Sequence, residues 1–280
     1  MVNNKTYFKI SLLAITLVLL LATLLSGCSS LQSLLQNPKY LYENGAVLVD
    51  GADKPIELKN NPKAVDETYA QVLDFIRQDT TDLLPYIDRG NKDGLTPFVC
   101  SDFAARVHDN AEAAGIRAGY VSVDWVSGDV GHAIDAFETT DQGLVFIDCT
   151  GKSDYSQVEE GDSQVTMGSW DKVGYLATGH QYGVIALAYA ASPQFAYYDV
   201  YSQKWQELKD KLTAYNAEVR SYNQQIKGHV YTEGSTEIAS IRDWEARLTQ
   251  EENDIIDLQL EVGESRFKPL GIVSNYEVHW

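Results

Sequence analysis

The spacing of apolar positions predicts two helices in the first half of the chain. Between residues 62 and 80 apolar side chains share one helical face, namely Val65, Tyr69, Val72 and Ile76. Pro62 follows Asn61 and is a favourable start for that helix. A second helix is predicted from about Cys100 to Ala114, with Gly115 ending it. Each helix has one apolar face, so each is predicted to pack on a core.

After this second helix the apolar period changes to that of strands. Three short segments at 117–125, 131–139 and 143–149 are rich in Val, Ile, Phe and Tyr and are separated by turn residues. The stretch "TTDQG" between the last two resembles a hairpin loop, so those strands are predicted to pair antiparallel. Another apolar run from Tyr182 is a candidate strand, although a buried helix stays open. The polar segment 152–172 is interpreted as an excursion over the surface.

The last third of the chain carries two heptad seams. The first seam comprises Trp205, Leu208, Leu212, Tyr215, Val219, Tyr222 and Ile226. The second comprises Ile241, Trp244, Leu248, Glu251, Ile255, Leu258 and Val262. With Gly228 and Gly234 bracketing a turn, the seams predict an antiparallel helical hairpin. The alternative is one arm of an intermolecular coiled coil. The tail 263–280 is apolar enough to dock on the body.

The N-terminal segment has the layout of a secretory signal. Lys5 and Lys9 precede an apolar run that ends in "LSGC", which resembles the lipobox of prokaryotic lipoproteins. In this interpretation residues 1–27 are a signal peptide, Cys28 receives the lipid, and the protein is an extracytoplasmic lipoprotein of the cell envelope. An uncleaved transmembrane helix is the alternative, although the run is barely long enough to span about 30 Å of hydrocarbon.

The predicted organisation has five parts. Residues 1–27 are the signal peptide, 28–62 the lipidated cysteine with a tether and lead-in, and 63–200 an α+β domain in which a helix packs on an antiparallel sheet. Residues 201–262 form the helical hairpin, and 263–280 the tail. The second part contains at most one short strand.

The net charge of the chain limits the classes of molecule that the protein is expected to bind. Residues 1–27 hold two lysines and no acids, so removing them from the 22 basic and 40 acidic residues leaves 20 against 40, a formal charge of −20. Phosphate binding needs a basic stripe that this composition lacks, so nucleic acid is not an expected partner. The lipid is then the expected membrane contact.

Three residues suggest nucleophilic catalysis. Cys100 begins a helix, His132 lies near the start of a strand, and Asp148 lies near the end of the hairpin partner of that strand. A thiol enzyme needs a thiolate, an imidazole that moves its proton, and a carboxylate that orients the imidazole. A helix N-terminus and a nearby imidazolium both favour a thiolate. Asp102 is expected to cap the helix start.

Strand register permits this arrangement. Antiparallel strands centred on Asp141 place opposite each other residues whose numbers sum to about 282. His132 is then opposite Thr150, and Asp148 opposite Ile134. The His132 and Asp148 side chains share one face and could meet diagonally.

Other roles stay open for these residues. Cys100 could be a small buried residue, or it could form a disulfide with Cys149 in an oxidising compartment. Strand alternation opposes that bond, because Cys149 points away from the face of Asp148. His108 is expected to be exposed or half-buried. A metal site of His108, His132 and the two cysteines lacks any recognisable zinc-ligand spacing.

Four successive blocks resemble the transglutaminase-like superfamily within the papain-like thiol fold. They are "VCSDFA", "AGIRAGYV", "GHAIDAFE" and "GLVFIDCTG", and the resemblance covers roughly residues 63–190. It implies Cys100 as nucleophile, His132 as general base and acid, and Asp148 as the residue that orients His132. Ile134 stands where many relatives carry Trp, and Leu144 where many carry an aromatic. Only the backbone N–H of Cys100 can be named as an oxyanion donor.

The predicted function is therefore a membrane-anchored thiol enzyme that acts on peptide or carboxamide bonds. Hydrolysis by a peptidase or amidase is favoured over crosslinking, since no feature for binding an amine acceptor is visible. No cofactor is required, and the hairpin suggests a protein partner or a dimer. The rival function is a catalytically idle scaffold or binding lipoprotein that works through its hairpin. A disulfide-stabilised sensor is a third alternative.

Overall fold

The computed structural model describes residue 37 and residues 39–151, 158–159, 169–263 and 266–280. The predicted signal peptide and Cys28 lie outside these described residues. Within them, no helix combines the length and the apolar character that crossing a membrane requires.

Ten strands are described, six of which form the main sheet. They are β1 Tyr42–Glu43, β2 Ala46–Val47, β3 Gly119–Trp125, β4 His132–Thr139, β5 Gly143–Asp148, β6 Val158–Glu159, β7 Lys172–Tyr175, β8 Gly183–Ala186, β9 Arg266–Phe267 and β10 Val273–His279. The main sheet is antiparallel throughout, in the order β10, β3, β4, β5, β7, β8. Together with the helices below, this confirms the predicted α+β class.

The main sheet differs from the sequence prediction at two strands, since β10 lies in the tail that was predicted only to dock, and β7 was not predicted. The lead-in also holds two short strands, β1 and β2, where at most one was expected. β3, β4, β5 and β8 lie where strands were predicted, but β7 was missed and begins at Lys172, the last residue of the segment interpreted as surface excursion. All four residues of β7 are buried. The interpretation as a surface excursion was therefore wrong at its C-terminal end, where Asp171 and Lys172 are buried.

Helix α1, Tyr69–Gln78, begins later than predicted. Thr68 is its N-cap and forms a capping box with Gln71, which fixes the helix start at that point. Val65 is not on the buried face of the helix, since it is 54% exposed and forms a parallel bridge to Ile116. The predicted start at Pro62 was thus wrong, because the side chain of Thr68 satisfies the helical N–H groups six residues later.

Helix α2, Cys100–Ala114, matches its prediction. Gly115 ends it in the left-handed conformation with φ of 87°. Phe103, Val107 and Ala111 are buried on its inner face. A short 3-10 helix, Thr81–Leu83, lies between α1 and α2.

Two long helices follow β8, namely α3 Phe195–Ile226 and α4 Thr236–Val262. Their contacts pair residues whose numbers have a near-constant sum, as in Lys204 with Glu261 and Tyr222 with Glu245, so the helices are antiparallel as predicted. Helix α3 begins ten residues before the predicted seam, because Tyr198 and Tyr201 of its first turns are buried against the sheet.

The segments at both ends of the domain pack on the sheet or on α2. Leu41, Leu48, Ile56 and Leu58 contact a small apolar cluster that contains Tyr120, Ala104 and Cys100. At the other end, the predicted docking of the tail is confirmed, since β10 is the edge strand beside β3. Cys100 is therefore held between the lead-in segment and the sheet.

Candidate functional site

Cys100 is the first residue of α2 and lines a cavity of about 710 Å³. Oδ2 of Asp102 accepts hydrogen bonds from the backbone N–H of Val99, at 2.9 Å, and of Gly51, at 2.8 Å, so Asp102 caps the helix start as expected. The N–H of Cys100 is at the first helical position, where the helix itself offers no acceptor. The thiol is partly accessible from the cavity. The start of α2 thus presents a sulfur and a free N–H donor together.

His132 and Asp148 meet as the register predicted. Asp135 pairs with Ile147 and Ala136 with Phe146, which gives the expected sum of 282. His132 Nε2 lies 2.9 Å from Asp148 Oδ2, so the ring donates this hydrogen bond to the carboxylate. The diagonal contact across β4 and β5 is therefore present in the fold.

The structure also joins Cys100 to this pair. The thiol lies close enough to the imidazole of His132 to raise the pKa of that ring. Because Nε2 is engaged by Asp148, Nδ1 is the nitrogen that remains for the sulfur. Cys100, His132 and Asp148 all line the same cavity. The structure thus brings all three predicted site residues together, with His132 next to both Cys100 and Asp148.

Two residues that the sequence did not reveal hold Asp148. Lys172 Nζ lies 3.6 Å from Asp148 Oδ1, and the buried hydroxyl of Tyr182 donates to Oδ2 at 3.2 Å. The backbone N–H of Thr150 donates to Oδ1 at 2.9 Å. Lys172 in turn donates to the carbonyl oxygens of Thr150 and Trp170. Neither Lys172 nor Tyr182 belongs to a local motif, and each reaches the site through strand pairing alone.

The ionisation of the pair follows from these contacts. Burial would raise the pKa of Asp148, but Lys172, His132 and the Thr150 N–H outweigh it and hold that pKa below its usual range. Burial lowers the pKa of His132, but the charge and hydrogen bond of Asp148, followed by the neighbouring Cys100, prevail and raise it to about 10. At neutral pH the ring is therefore an imidazolium beside a carboxylate.

The cavity walls are mainly apolar and aromatic. Tyr86, Tyr120, Trp170 and Phe267 line it, and Val130 at its edge is 94% exposed. Such a surface suits an extended or bulky substrate in which a few polar groups set the orientation.

Cys149 lies on the opposite side of the sheet, in the main apolar core. Cys100 and Cys149 are both free, so the alternative of a disulfide between them is wrong for this structure. Burial, followed by the charges of Asp171 and Asp135, raises the pKa of Cys149 well above its ordinary value. Of the two described cysteines, only Cys100 faces the cavity.

The prediction that His108 is exposed or half-buried was wrong. The side chain is fully buried rather than exposed or half-buried, and its Nδ1 lies 3.2 Å from Asp109 Oδ1. Among the described residues, no group of three or more His, Cys, Asp or Glu side chains is arranged to hold a metal ion. The structure therefore gives no support to the metal site that combined His108 with His132 and the two cysteines.

No protein-family model, curated protein or solved structure matches this chain. The transglutaminase-like interpretation therefore depends on the four sequence blocks and on the geometry described above.

Proposed function

We propose that this protein is a transglutaminase-like thiol enzyme that cleaves peptide or carboxamide bonds through Cys100, His132 and Asp148. The observation that carries the proposal is the His132–Asp148 hydrogen bond next to the Cys100 thiol, which lies at a helix N-terminus in the same open cavity. These are the groups and the order that thiol catalysis requires. The six-stranded antiparallel sheet with α2 packed beside it supports the transglutaminase-like assignment.

The reaction begins with Cys100 sulfur as a thiolate and His132 as an imidazolium. The sulfur attacks the substrate carbonyl carbon, and the electron pair of the C=O bond moves to oxygen. When the tetrahedral intermediate collapses, the C–N bond breaks and the amine takes the proton from His132, leaving a thioester. His132 then takes a proton from water, the resulting hydroxide attacks the thioester, and Cys100 leaves as thiolate. The products are a carboxylic acid and an amine.

Asp148 positions the ring during both half-reactions. Its hydrogen bond fixes Nε2, so Nδ1 stays directed at the sulfur and the leaving group. Lys172 and Tyr182 keep Asp148 ionised and in place. An amine in place of water would give a crosslinking reaction, but hydrolysis is the assignment we favour because water needs no dedicated acceptor site.

The setting of this activity follows from the N-terminal sequence. The lipobox at Cys28 supports an extracytoplasmic lipoprotein with a lipid anchor in the membrane. Exposed apolar side chains on α4, Ile256 and Leu260, support the hairpin as a contact surface for a protein partner or a second copy. The substrate would then be a protein or peptide of the cell envelope.

Thiol labelling of the full chain tests the proposal. Iodoacetamide near neutral pH should alkylate Cys100 far faster than Cys149, because the first faces the cavity beside an imidazolium and the second is buried. Mass spectrometry of peptides identifies which thiol has reacted. His132→Gln should slow alkylation of Cys100 and leave Cys149 unchanged. Equal and slow reaction of the two thiols in the wild-type chain would instead favour the idle scaffold.

A further inference from the structure

The hydroxyl of Tyr86 is a hydrogen-bond donor that has no partner within the described part of the chain. Tyr86 lines the cavity together with Cys100, and among the described residues none hydrogen-bonds with its Oη. Oη is also absent from the buried polar atoms that lack a partner, so it has contact with the solvent of the cavity. A donor in this position is available to a bound substrate.

The backbone holds Tyr86 next to the nucleophile. Ile87 and Phe98 form an antiparallel bridge with two hydrogen bonds of 2.9 Å. Antiparallel pairing places the residue before Ile87 opposite the residue after Phe98, so Tyr86 faces Val99, the neighbour of Cys100. The position of Tyr86 is therefore fixed relative to the start of α2.

The ring of Tyr86 is fixed as well. It stacks on Phe103, with ring centroids 6.2 Å apart and planes at 11°. Phe103 is buried in α2 and is contacted edge-on by Phe98 at 4.7 Å. A donor held in this way needs little reorganisation when charge develops beside it.

Tyr86 remains protonated throughout the neutral range. Burial, followed by the negative charges of Cys100 and Asp88, raises its pKa to about 12. The hydroxyl thus keeps its proton beside a thiolate and can donate it in a hydrogen bond. An ionised phenol would repel a developing oxyanion.

We propose that Tyr86 Oη is the second donor of the oxyanion hole, opposite the backbone N–H of Cys100. This inference rests on the proposed function. As the sulfur–carbon bond forms, the carbonyl electron pair moves to oxygen, which accepts hydrogen bonds from Tyr86 and from Cys100 N–H. When the leaving group departs with the proton of His132, the pair returns to re-form the carbonyl. No proton leaves Tyr86 in the cycle.

Two electrophiles separate this role from a structural one. p-Nitrophenyl acetate acylates a thiolate through a tetrahedral oxyanion, whereas iodoacetamide alkylates it by direct displacement without one. In the full chain, Tyr86→Phe should slow acylation of Cys100 by about 10²-fold while alkylation proceeds at the wild-type rate. Tyr276→Phe is the matched control, since this ring contacts Phe146 away from the cavity, and it should leave both rates unchanged.

Several outcomes would overturn the inference. One is that Tyr86→Phe is acylated as fast as the wild-type chain. Another is that acylation and alkylation of Tyr86→Phe slow by the same factor. A third is that Tyr120→Phe loses acylation whereas Tyr86→Phe does not. Tyr120 is the relevant rival because it also lines the cavity and the charge of Cys100 also raises its pKa, after burial. If p-nitrophenyl acetate fails to acylate Cys100 even in the wild-type chain, the proposed function falls together with this inference.

Discussion

At the scale of single residues, a second polar cluster lies beside the site. Ser169 Oγ is 3.0 Å from Oδ2 of both Asp82 and Asp171, and its single proton can serve only one of them at a time. Cys149 lies beside Asp171 as well. Burial, followed by the charge of Asp82, raises the pKa of Asp171 to about 7. A proton on Asp171 therefore relieves the repulsion between two buried carboxylates.

This cluster predicts that Asp171→Asn stabilises the protein at neutral pH. In the unfolded chain Asp171 titrates near 3.8, whereas in the folded protein it holds its proton up to about pH 7. The folded state binds more protons in this window, so wild-type stability falls as the pH rises from about 4 to 7. Asparagine cannot ionise, so the stability of the variant relative to wild type should rise by up to about 1.4 kcal/mol per pH unit there.

Urea denaturation at pH 4, 5, 6 and 7 measures this difference. Asp93→Asn is a suitable control, because Asp93 is exposed. A difference between Asp171→Asn and wild type that stays flat, or that declines as the pH rises, would contradict the account of the cluster.

The residues of the site differ in how readily the sequence reveals them. His132 and Asp148 could be paired from the sequence because they flank a short hairpin loop, where counting residues fixes the register. Lys172 lies opposite Asp148 only through the pairing of β5 with β7. The long connection between those strands gives no register, so Lys172 could not be placed. Tyr86 could not be placed from the sequence either, since its position depends on the single bridge between Ile87 and Phe98.

At the scale of elements, strong periodicity predicted that a helix or strand exists better than it predicted where that element begins and ends. Helix α2 and strands β3 to β5 were predicted because a glycine or a turn separates each from the next. The start of α1 depends on which side chain caps it, and Thr68 prevails over Pro62. β7 is only four residues long and contains a glycine, so it lacks a period that could be recognised. The capping side chain determines where α1 begins, and pairing with neighbouring strands determines that β7 forms.

The contact between β8 and α3 predicts that one glycine of β8 cannot be replaced without loss of stability. A Cβ on Gly183 would lie 2.0 Å from Cζ of Tyr198, whose ring is buried and stacks on Tyr175 at 5.2 Å. Gly183→Ala would force α3 away from the sheet, and we expect a loss of about 1–3 kcal/mol in the free energy of unfolding.

The matched control for this variant is Gly90→Ala. Gly90 has open space around the Cβ position and no left-handed backbone, so the alanine there should have little effect. Thermal and urea unfolding compare the two variants. Tyr198→Ala should reduce the additional cost of Gly183→Ala, because the clash is removed. Equal stabilities of the Gly183 and Gly90 variants would show that the two elements are not in close contact.

At the scale of the whole molecule, one core joins the sheet to the base of the hairpin. The largest buried cluster combines Ile185 of β8, Trp205 and Leu208 of α3, and Ile255 and Val262 of α4. The heptad seams therefore have two roles, since near the sheet they pack on the domain and farther out they hold the two helices together. The sequence predicted the hairpin from its period, but the period does not say what else the seam contacts.

At the two ends of the described chain, too, the sequence predicted less about packing than the structure shows. The apolar character of the tail predicted docking, and the structure shows which edge of the sheet it joins, beside β3. The lead-in segment carries Ile56 into a cluster with Tyr120 and Ala104, next to Cys100. Each end thus supports the wall of the cavity, a role that depends on long-range packing and leaves no local pattern.

The central claim is that His132 is held as an imidazolium between Cys100 and Asp148, and its titration measures this most directly. Nuclear magnetic resonance of ring-labelled histidine, with His132→Gln to identify the signal among five histidines, gives the midpoint. Since the pKa of His132 is raised to about 10, the wild-type midpoint should lie near that value. Asp148→Asn should lower the midpoint, because the charge and hydrogen bond of Asp148 are lost while burial remains. A wild-type midpoint at or below 6.5 would contradict the coupled site.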